Sequence, residues 1–377
     1  MEPNVLIVGG GVIGLSIARE LHKNGLRQIT VVERGTCGKE SSWAAAGMLG
    51  PQAEANEVGP FPEVCSKSRD LFPGLAAELL DETGIDIELD RTGTLSLAFC
   101  DEDADELLQR SQWQTDAHLA HEILSFEDVL KLEPEASSNV RFGLYFPNDW
   151  QVENRKLLSA LRRYAGLNGI EILENTNVER LIIEDGTVEG TETNAGRINA
   201  GITVLATGAW TSLIKFGDHS APFVVKPVRG QMIEFHPEER IFNHVIYSRR
   251  GYVVPRLDGR ILAGSTSEDA GYDKGVTETA ARDLRKMATE ISPSFGELAM
   301  TDHWSGLRPL AEDGLPVIGS LGDFEGLLIA TAHYRNGILL APLTAKVIAE
   351  RIVGNVRSSI SELFSPKRFS RNRTAAI

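Results

Sequence analysis

The chain has 377 residues, of which 42% are hydrophobic and 24% are charged. This length and composition predict a globular protein of two domains and exclude a disordered chain or a small disulfide-stapled fold. The chain carries 38 basic and 53 acidic residues, a net charge of −15, so neither nucleic acid nor an anionic membrane surface is an expected partner.

Three further features of the sequence bear on membrane association, secretion and cellular location. No segment approaches the roughly 18 consecutive apolar residues that cross a bilayer, so we expect no membrane partner. The N-terminal apolar run follows the acidic Glu2 and is interrupted by glycines, which argues against a signal peptide. Cys37, Cys65 and Cys100 lack any paired spacing, so we expect no disulfide framework, no metal site and a reducing, cytoplasmic location.

The first 33 residues predict a strand, a glycine turn, a helix and a second strand. Residues 4–8 and 28–33 are short apolar runs typical of buried strands, and residues 12–24 have the apolar spacing of a helix. A strand–helix–strand unit of this length implies two parallel strands joined by a right-handed crossover.

The glycine turn fits a dinucleotide-binding fingerprint. Gly9, Gly11 and Gly14 follow the pattern G-x-G-x-x-G after a strand and at the start of a helix. They allow a tight turn, the close approach of a pyrophosphate and close helix packing, while the helix N-terminus favours the anion. Glu33 ends the second strand and can accept hydrogen bonds from ribose hydroxyls. FAD and NAD share this fingerprint, and a glycine turn without a ligand is the alternative.

The rest of the chain mixes helices and strands after a loop of small residues at 38–50. Helices are predicted at 62–83 with a break at 73–74, and at 101–117, 125–131, 154–167, 276–291 and 337–353. Strands are predicted at 93–99, 170–173, 178–184, 201–206, 224–235, 245–247, 251–256, 260–265 and 327–331. Ser125 and Asn154 are the expected N-caps of their helices, and Asp185 with Gly186 forms the expected hairpin turn.

This order predicts an α/β fold whose two domains are interleaved in sequence. Strands near both termini and at 170–206 are typical of a parallel, Rossmann-like sheet, whereas those at 93–147 and 224–308 indicate a mixed or antiparallel sheet. We assign 1–55, 150–215 and 312–360 to a cofactor-binding domain and 56–149 and 216–311 to a substrate-binding domain. Residues 361–377 are polar and are expected to form a surface tail.

Three blocks of sequence resemble a known family. The first is the fingerprint with residues 31–33, and the second is ESSWAAAGML at 40–49. The third comprises WSGLRP at 304–309, DGLPVIG at 313–319 and HYRNGILLAP at 333–342. Over residues 4–352 the chain resembles the D-amino-acid oxidase superfamily of FAD-dependent amine oxidoreductases, and within it the glycine oxidases of the thiamine-biosynthesis type.

The resemblance implies FAD as the cofactor and a set of residues that hold it. Relatives that attach flavin covalently use a cysteine in the last third of the chain or a histidine soon after the fingerprint. The last cysteine here is Cys100 and residues 34–60 contain no histidine, so non-covalent FAD is expected. The almost side-chain-free segment 44–47 suits contact with the planar flavin ring. The expected cofactor contacts are Gly9, Gly11, Val12, Ile13, Gly14, Glu33, Arg34, Ser41, Ser42, Ala46, Gly47, Met48, Val178, His333, Tyr334, Arg335, Asn336, Gly337, Ile338 and Leu339.

The resemblance also implies how a substrate is held. Arg308 and Tyr252 are expected to bind the carboxylate of an amino acid, with Arg335 as a second candidate. A salt bridge at the surface or at a domain interface is the alternative role for Arg308, and core packing is the alternative for Tyr252. His333 is expected to contribute its backbone rather than act as a base. A helix N-terminus at 335–337 is expected to face the flavin and stabilise negative charge there.

The implied reaction is oxidative deamination of glycine and similar small amines, such as sarcosine and small D-amino acids. Hydride passes from the substrate Cα to flavin N5 without a side-chain base, and oxygen is reduced to hydrogen peroxide. A link to thiazole synthesis for thiamine and a homo-oligomer, often a tetramer in this family, are implied by resemblance alone. The alternatives are a D-amino-acid or proline dehydrogenase that reduces a quinone, and a non-catalytic flavin-binding protein.

Overall fold

The structure is a computed structural model that describes residues 4–354, 356 and 358–370. The strands are β1 (Val5–Val8), β2 (Ile29–Val32), β3 (Met48–Leu49), β4 (Thr94–Ala98), β5 (Glu122–Ser125), β6 (Phe142–Phe146), β7 (Trp150–Gln151), β8 (Glu171–Leu173), β9 (Val178–Glu184), β10 (Thr187–Thr193), β11 (Gly196–Asn199), β12 (Ile202–Leu205), β13 (Lys215–Phe216), β14 (Val225–Phe235), β15 (Val245–Ser248), β16 (Gly251–Pro255), β17 (Ile261–Gly264), β18 (Met300–Ala311), β19 (Val317–Gly319) and β20 (Leu327–Thr331). The α-helices are α1 (Val12–Lys23), α2 (Ser41–Ala44), α3 (Pro60–Arg69), α4 (Phe72–Thr83), α5 (Asp101–Asp116), α6 (Phe126–Leu132), α7 (Asn154–Leu167), α8 (Glu278–Ile291), α9 (Gly337–Val353), α10 (Ser359–Leu363) and α11 (Lys367–Ser370).

A six-stranded sheet with the order β19-β20-β12-β1-β2-β8 carries the fingerprint. Its strands are parallel except for β19 at the edge. All four residues of β1 are buried, as expected of a parallel strand that is covered on both faces. Helices α1, α7 and α9 share one apolar core with one face of this sheet, while β9 and β10 contribute to the core on the other face.

An eight-stranded sheet with the order β18-β14-β17-β16-β15-β4-β6-β5 forms the second large unit. Its pairs are antiparallel except for the parallel pair β15–β4. Alternate residues of β16 enter different cores, since Val253 lies in the cluster that contains α8, whereas Tyr252 and Val254 lie with Ala44 and Ala46. One face of this sheet is therefore turned toward the small-residue segment after β2.

The mixed α/β fold class is confirmed. Every strand of the six-stranded sheet falls within 1–55, 150–215 or 312–360, and every strand of the eight-stranded sheet within 56–149 or 216–311. Where one domain ends and the other begins stays a prediction. The prediction that the strands at 170–206 belong to the parallel sheet was only partly right. Strands β8 and β12 do, but β9, β10 and β11 form an antiparallel meander.

Two local predictions were wrong at a boundary. The helix at 62–83 is broken at 70–71 instead of 73–74, because Pro73 lies in the first turn of α4, where proline needs no N–H partner. The N-cap of α7 is Glu153, whose side chain accepts from the Arg155 N–H, while Asn154 is the first helical residue. The Ser125 cap of α6 is confirmed, and so is the hairpin turn at Asp185 and Gly186 between β9 and β10.

The C-terminal segment differs from the predicted surface tail. Phe364 is fully buried, its ring packs edge-on against Phe61, and its carbonyl accepts the Ile318 N–H at 2.9 Å. Arg368 pairs with Asp313 at 2.6 Å. Apolar burial outweighs the polar composition of this stretch, so residues 361–370 dock on the six-stranded sheet. Residues 371–377 lie outside the described residues.

Candidate active site

A cavity of about 760 Å³ is lined by residues of both large sheets and of the segment after β2. This volume lies in the usual range for ligand and cofactor sites. The predicted residues that line it are Gly9, Gly11, Val12, Ile13, Glu33, Arg34, Ser41, Ser42, Ala46, Gly47, Met48, Val178, Tyr252, Arg308, His333, Tyr334, Arg335, Asn336, Gly337 and Ile338. Gly14 and Leu339 lie behind the wall, Gly14 under the turn and Leu339 in the core.

The fingerprint end of the cavity is built from backbone. Gly9 has φ of +113°, and a Cβ there would overlap the Ala206 carbonyl oxygen. A Cβ on Gly14 would overlap the carbonyl oxygen of Gly9, so the turn and the helix meet at a distance that only glycine allows. Helix α1 therefore begins directly at the cavity, with the positive end of its dipole toward the lining.

Glu33 is held at this end by two backbone donors. Its Oε2 accepts the Gly10 N–H at 2.9 Å and its Oε1 accepts the Gly35 N–H at 2.9 Å. Each carboxylate oxygen can accept more than one hydrogen bond, so capacity remains for a ligand hydroxyl. The side chain is only 7% exposed, and its orientation is fixed by the turn itself.

Trp210 is a lining residue that sequence reasoning missed. The Arg34 guanidinium lies 3.2 Å from the centre of its ring, and Tyr272 stacks on it at 4.8 Å. Arg34 also pairs with Glu40 at 2.8 Å, and Glu40 pairs with Lys274 at 3.2 Å. An aromatic residue in a 3₁₀-helix after a buried strand carries no motif, so no signal in the sequence marked it.

The segment 42–47 in the middle of the cavity is held by donors from outside the lining. Asn154 Nδ2 donates to the carbonyls of Ser42 at 2.8 Å and Trp43 at 3.1 Å, and Trp304 Nε1 donates to the Ala44 carbonyl at 3.0 Å. Arg256 Nη2 donates to the Ala46 carbonyl at 2.8 Å. The small side chains of residues 44–47 are thereby left to form the wall.

Arg256 is the central donor of this arrangement and was also missed. It is 3% exposed and donates in addition to the Val152 carbonyl at 2.8 Å, to Gln151 Oε1 at 3.1 Å and to Asn154 Oδ1 at 3.0 Å. Its Nε lies 3.5 Å from a Glu153 carboxylate oxygen. Burial lowers the pKa of Arg256, and Glu153 counteracts that effect. The sequence does not reveal this role, because it depends on the end of β16 lying behind the segment 42–47 in the folded chain.

Arg308 and Tyr252 meet at the other end of the cavity. Arg308 Nη2 donates to Ser265 Oγ at 2.6 Å and its Nη1 to the Thr266 carbonyl at 3.0 Å, while the Tyr252 hydroxyl donates to the same Ser265 Oγ at 3.1 Å. The guanidinium lies where a Cβ of Gly230 would be. Within the described ranges no carboxylate pairs with Arg308, so the salt-bridge alternative is not what the structure contains.

Arg335, unlike Arg308, forms a salt bridge with a carboxylate. Its Nε and Nη2 donate to the two carboxylate oxygens of Glu54, each at 2.8 Å, and the Tyr247 hydroxyl donates to the same carboxylate at 2.8 Å. Burial disfavours the charge on Glu54, but the Arg335 guanidinium holds the pKa of this carboxyl below its usual value. Sequence reasoning missed Glu54, which lies in a loop with no motif.

His333 is deeply buried and its Nε2 lies 3.0 Å from Thr344 Oγ1. Burial lowers the pKa of this imidazole to about 3, so the ring is neutral at physiological pH and a poor proton acceptor. Helix α9 begins four residues later at Gly337, and Gly337 and Ile338 line the cavity at its N-terminus. The described residues include neither a cluster of metal-ligating side chains nor a helix long and apolar enough to cross a membrane.

The geometry matches known proteins over nearly the whole chain. The family model described as DAO, FAD dependent oxidoreductase, matches residues 4–351. The glycine oxidase of Pseudomonas aeruginosa is 35% identical over 94% of this chain and 96% of its own length. The bifunctional protein ThiO/ThiG of Synechocystis is 35% identical over 97% of this chain but only 54% of its own length.

Solved structures give the same result. The crystal structure of glycine oxidase from Geobacillus kaustophilus has a TM-score of 0.90 and 33% identity, covering 97% of this chain and 98% of that one. The crystal structure of L-proline dehydrogenase from P. horikoshii has a TM-score of 0.85 and 25% identity, covering 98% of both chains. These similarities agree with the resemblance seen in the sequence.

The residues of the cavity fit FAD. Gly11 and the start of α1 form a cradle that a side chain on Gly11 would narrow, and Gly9 makes the tight turn before it, as a pyrophosphate needs. Glu33 retains acceptor capacity for ribose hydroxyls, and the wall at 44–47 consists of small residues that a flat ring can approach. The N-terminus of α9, where Gly337 and Ile338 line the cavity, adds a second positive dipole end.

Proposed function

Because the chain belongs to the DAO family of FAD dependent oxidoreductases and is an enzyme with FAD as its cofactor, we propose that it is an oxidase of glycine and similar small amines. The substrates that we propose are glycine, sarcosine and small D-amino acids. The products are the α-keto acid, ammonia or an amine, and hydrogen peroxide. FAD is held without a covalent bond, and when bound it supplies the hydride acceptor and the reaction with oxygen.

The observation that carries this proposal is the pairing of Arg308 with Tyr252. Arg308 forms no salt bridge with a carboxylate of the described residues, and its planar guanidinium lies next to a phenol hydroxyl. This arrangement is suited to bind one carboxylate with two parallel hydrogen bonds. Ser265 accepts from both side chains, so it fixes their orientation before a substrate arrives. The binding energy of the carboxylate then positions the substrate Cα.

The remaining chemistry needs no side-chain base. His333 stays neutral and is bonded to Thr344, so it does not serve as the proton acceptor. The N-terminus of α9 stabilises negative charge at the cavity without moving. Met48, Met232 and Tyr252 line the same end and limit the room for a substrate side chain. A pocket discriminates one methylene by about 1–3 kcal/mol, so several small amines are expected to react.

The physiological role that we propose is supply of the thiazole precursor for thiamine, and its support is the similarity to bifunctional ThiO/ThiG proteins. The second candidate is an amino-acid or proline dehydrogenase that passes electrons to a quinone, supported by the structural likeness to L-proline dehydrogenase. A cytoplasmic location and a homo-oligomer, with a tetramer as the expected form, stay predictions, and light scattering on the purified protein checks the oligomeric state.

An amino-acid panel on the purified yellow protein tests the proposal. Peroxide formation with glycine supports the oxidase, whereas dye reduction by proline or a D-amino acid without peroxide would favour the dehydrogenase. Arg308→Ala should lower kcat/KM for glycine by about 10²-fold or more, mainly through KM, with FAD content unchanged, because a charge-assisted bidentate contact is lost. The matched control Arg249→Ala removes a surface arginine and should leave both values unchanged. An unchanged KM in Arg308→Ala would overturn the carboxylate role.

A further inference from the structure

Glu54 is an acidic side chain at the end of the cavity where the substrate is proposed to bind. It lines the cavity together with Tyr252, Arg308 and Arg335. Both of its oxygens accept from the Arg335 guanidinium, and Tyr247 donates a third hydrogen bond. A carboxylate with three donors in a partly buried site is held in one orientation.

The loop that carries Glu54 is fixed on both sides. The buried carboxyl of Asp149 accepts the Gln52 N–H at 3.1 Å and the Ala53 N–H at 2.6 Å. Arg110 Nη1 donates to the carbonyl of Ala53 and to that of Ala55 at 2.8 Å. Glu54 is therefore presented to the cavity by its backbone, and it does not depend on Arg335 alone for its place.

The charges of the lining side chains at this end sum to one positive unit. Arg308 and Arg335 contribute two positive charges and Glu54 one negative charge, while Tyr247 stays neutral because burial raises its pKa well above the usual value. Most other charged lining residues lie on or beside β2, β9, β10 and β13, and one, Glu40, directly precedes α2: Glu33, Arg34, Glu40, Glu179, Arg180, Glu192 and Lys215. One net positive charge matches one substrate carboxylate.

We propose that Glu54 is a specificity-determining residue, which neutralises Arg335 and thereby restricts the site to ligands with a single carboxylate. The inference rests on the proposed function, since it deepens the account of the same site. A ligand with a second carboxylate would meet Glu54 where it would otherwise meet a guanidinium, and repulsion between the two carboxylates excludes it. Removal of the Glu54 charge frees the planar fork of Arg335 for a second anionic group.

The test compares acetate with malonate as ligands of the holoenzyme, with binding followed through the absorbance change of the bound flavin. In the wild type, acetate is expected to bind at least tenfold more tightly than malonate. In Glu54→Gln, the ratio of malonate to acetate affinity is expected to rise at least tenfold. Peroxide formation should follow the same order, with the ratio of D-aspartate to D-alanine turnover raised in Glu54→Gln.

Two controls separate charge from structure. The double variant Glu54→Gln/Arg335→Gln should lose the gain for malonate, because the freed guanidinium is gone. Glu40→Gln removes a different lining carboxylate, which pairs with Arg34 and Lys274 and not with Arg335, and should leave the ratio unchanged. Glu54→Ser serves as the second neutral variant if Glu54→Gln holds no flavin.

The outcomes distinguish this inference from the proposed function. If acetate does not perturb the flavin of the wild type, the carboxylate site itself is refuted, and both proposals fall. If acetate binds but neither neutral variant raises the malonate-to-acetate ratio, the role of Glu54 is refuted while the proposed function stands.

Discussion

The two ends of the cavity are formed by different kinds of group, backbone at one end and side chains at the other. The fingerprint end uses the backbone, with glycines at positions 9, 11 and 14, the start of α1, and Glu33 tied to two N–H groups. The substrate end uses side chains from distant segments, with Glu54 bonded to Arg335 across 281 positions of the chain. The groups named at the first end all belong to one strand–helix–strand unit and the turn after it, whereas those at the second end come from segments far apart in the sequence.

This difference determines how each end responds to substitution. At the fingerprint end a ligand is bound by groups that every residue possesses, so damage comes from added volume. At the substrate end the binding groups are particular charges, so damage comes from a changed charge or a lost hydrogen bond. Substitutions of both kinds can test whether the division is as sharp as the geometry implies.

The largest effect is expected at the fingerprint end, from Gly14→Ala. The added methyl would overlap the Gly9 carbonyl oxygen, which is backbone and cannot rotate away, so α1 must shift from β1. We expect at least tenfold less FAD in the purified protein, measured as the ratio of flavin to protein absorbance. Gly166→Ala in α7 is the matched control, because nothing lies within 4 Å of its added methyl, and it should keep full FAD content. Normal flavin content in Gly14→Ala would mean that the close approach is not needed for binding.

The sequence alone was sufficient for the features that local chemistry determines. The glycine turn, the bounds of α7 and α9, the Ser125 cap and the hairpin at Asp185 each depend on residues within one turn or one short motif. The errors arose where two adjacent residues could play the same role, as at the N-cap of α7, which either Glu153 or Asn154 could provide. There Asn154 is drawn away to the carbonyls of Ser42 and Trp43, which leaves Glu153 to cap the helix.

The substrate end shows what could not be predicted in this way. Arg308 and Tyr252 were found because they match a family motif, and the structure brings both to Ser265. Glu54, Trp210 and Arg256 match no motif, and their partners lie on segments that meet only in the folded chain. The roles of all these residues toward FAD and substrate stay predictions.

The wall between the two ends gives the next prediction. Arg256→Gln removes the buried donors to the Ala46 and Val152 carbonyls, and we expect the free energy of unfolding to fall by about 3–5 kcal/mol. FAD should also dissociate faster, because the segment 44–47 loses its support, and the recovery of free-flavin fluorescence measures that rate. Chemical denaturation of the holoenzyme measures the stability.

Arg285→Gln is the matched control for this wall. Arg285 likewise donates to backbone carbonyls, those of Phe295 at 3.0 Å and Leu298 at 2.8 Å, but it lies on α8, outside the cavity lining. It should lower stability without a change in the rate of flavin dissociation. Equal dissociation rates in the two variants would show that the wall holds its shape without Arg256.

The smallest effect is expected from Asp149→Asn, which addresses the scaffold of the substrate end. Burial raises the pKa of Asp149 to about 7, although its carboxyl accepts N–H groups of Gln52 and Ala53. A raised pKa means that the folded chain binds the proton more tightly than the unfolded chain. The free energy of unfolding therefore falls as pH rises from about 4 to 7, because the unfolded chain releases this proton first. Asparagine mimics the neutral form at every pH. The stability of Asp149→Asn relative to wild type should therefore rise by about 2–3 kcal/mol between pH 5 and pH 8, measured by chemical denaturation.

Asp105→Asn, an exposed carboxyl on α5, is the control for this pH series, and its stability relative to wild type should change by no more than a few tenths of a kcal/mol. A constant difference for Asp149→Asn would mean that the two backbone donors offset burial completely, and that Asp149 is ionised in the folded chain. The substrate end would then resemble the fingerprint end more closely than we infer, because a carboxylate tied to two N–H groups would anchor each of them, Glu33 at one and Asp149 at the other.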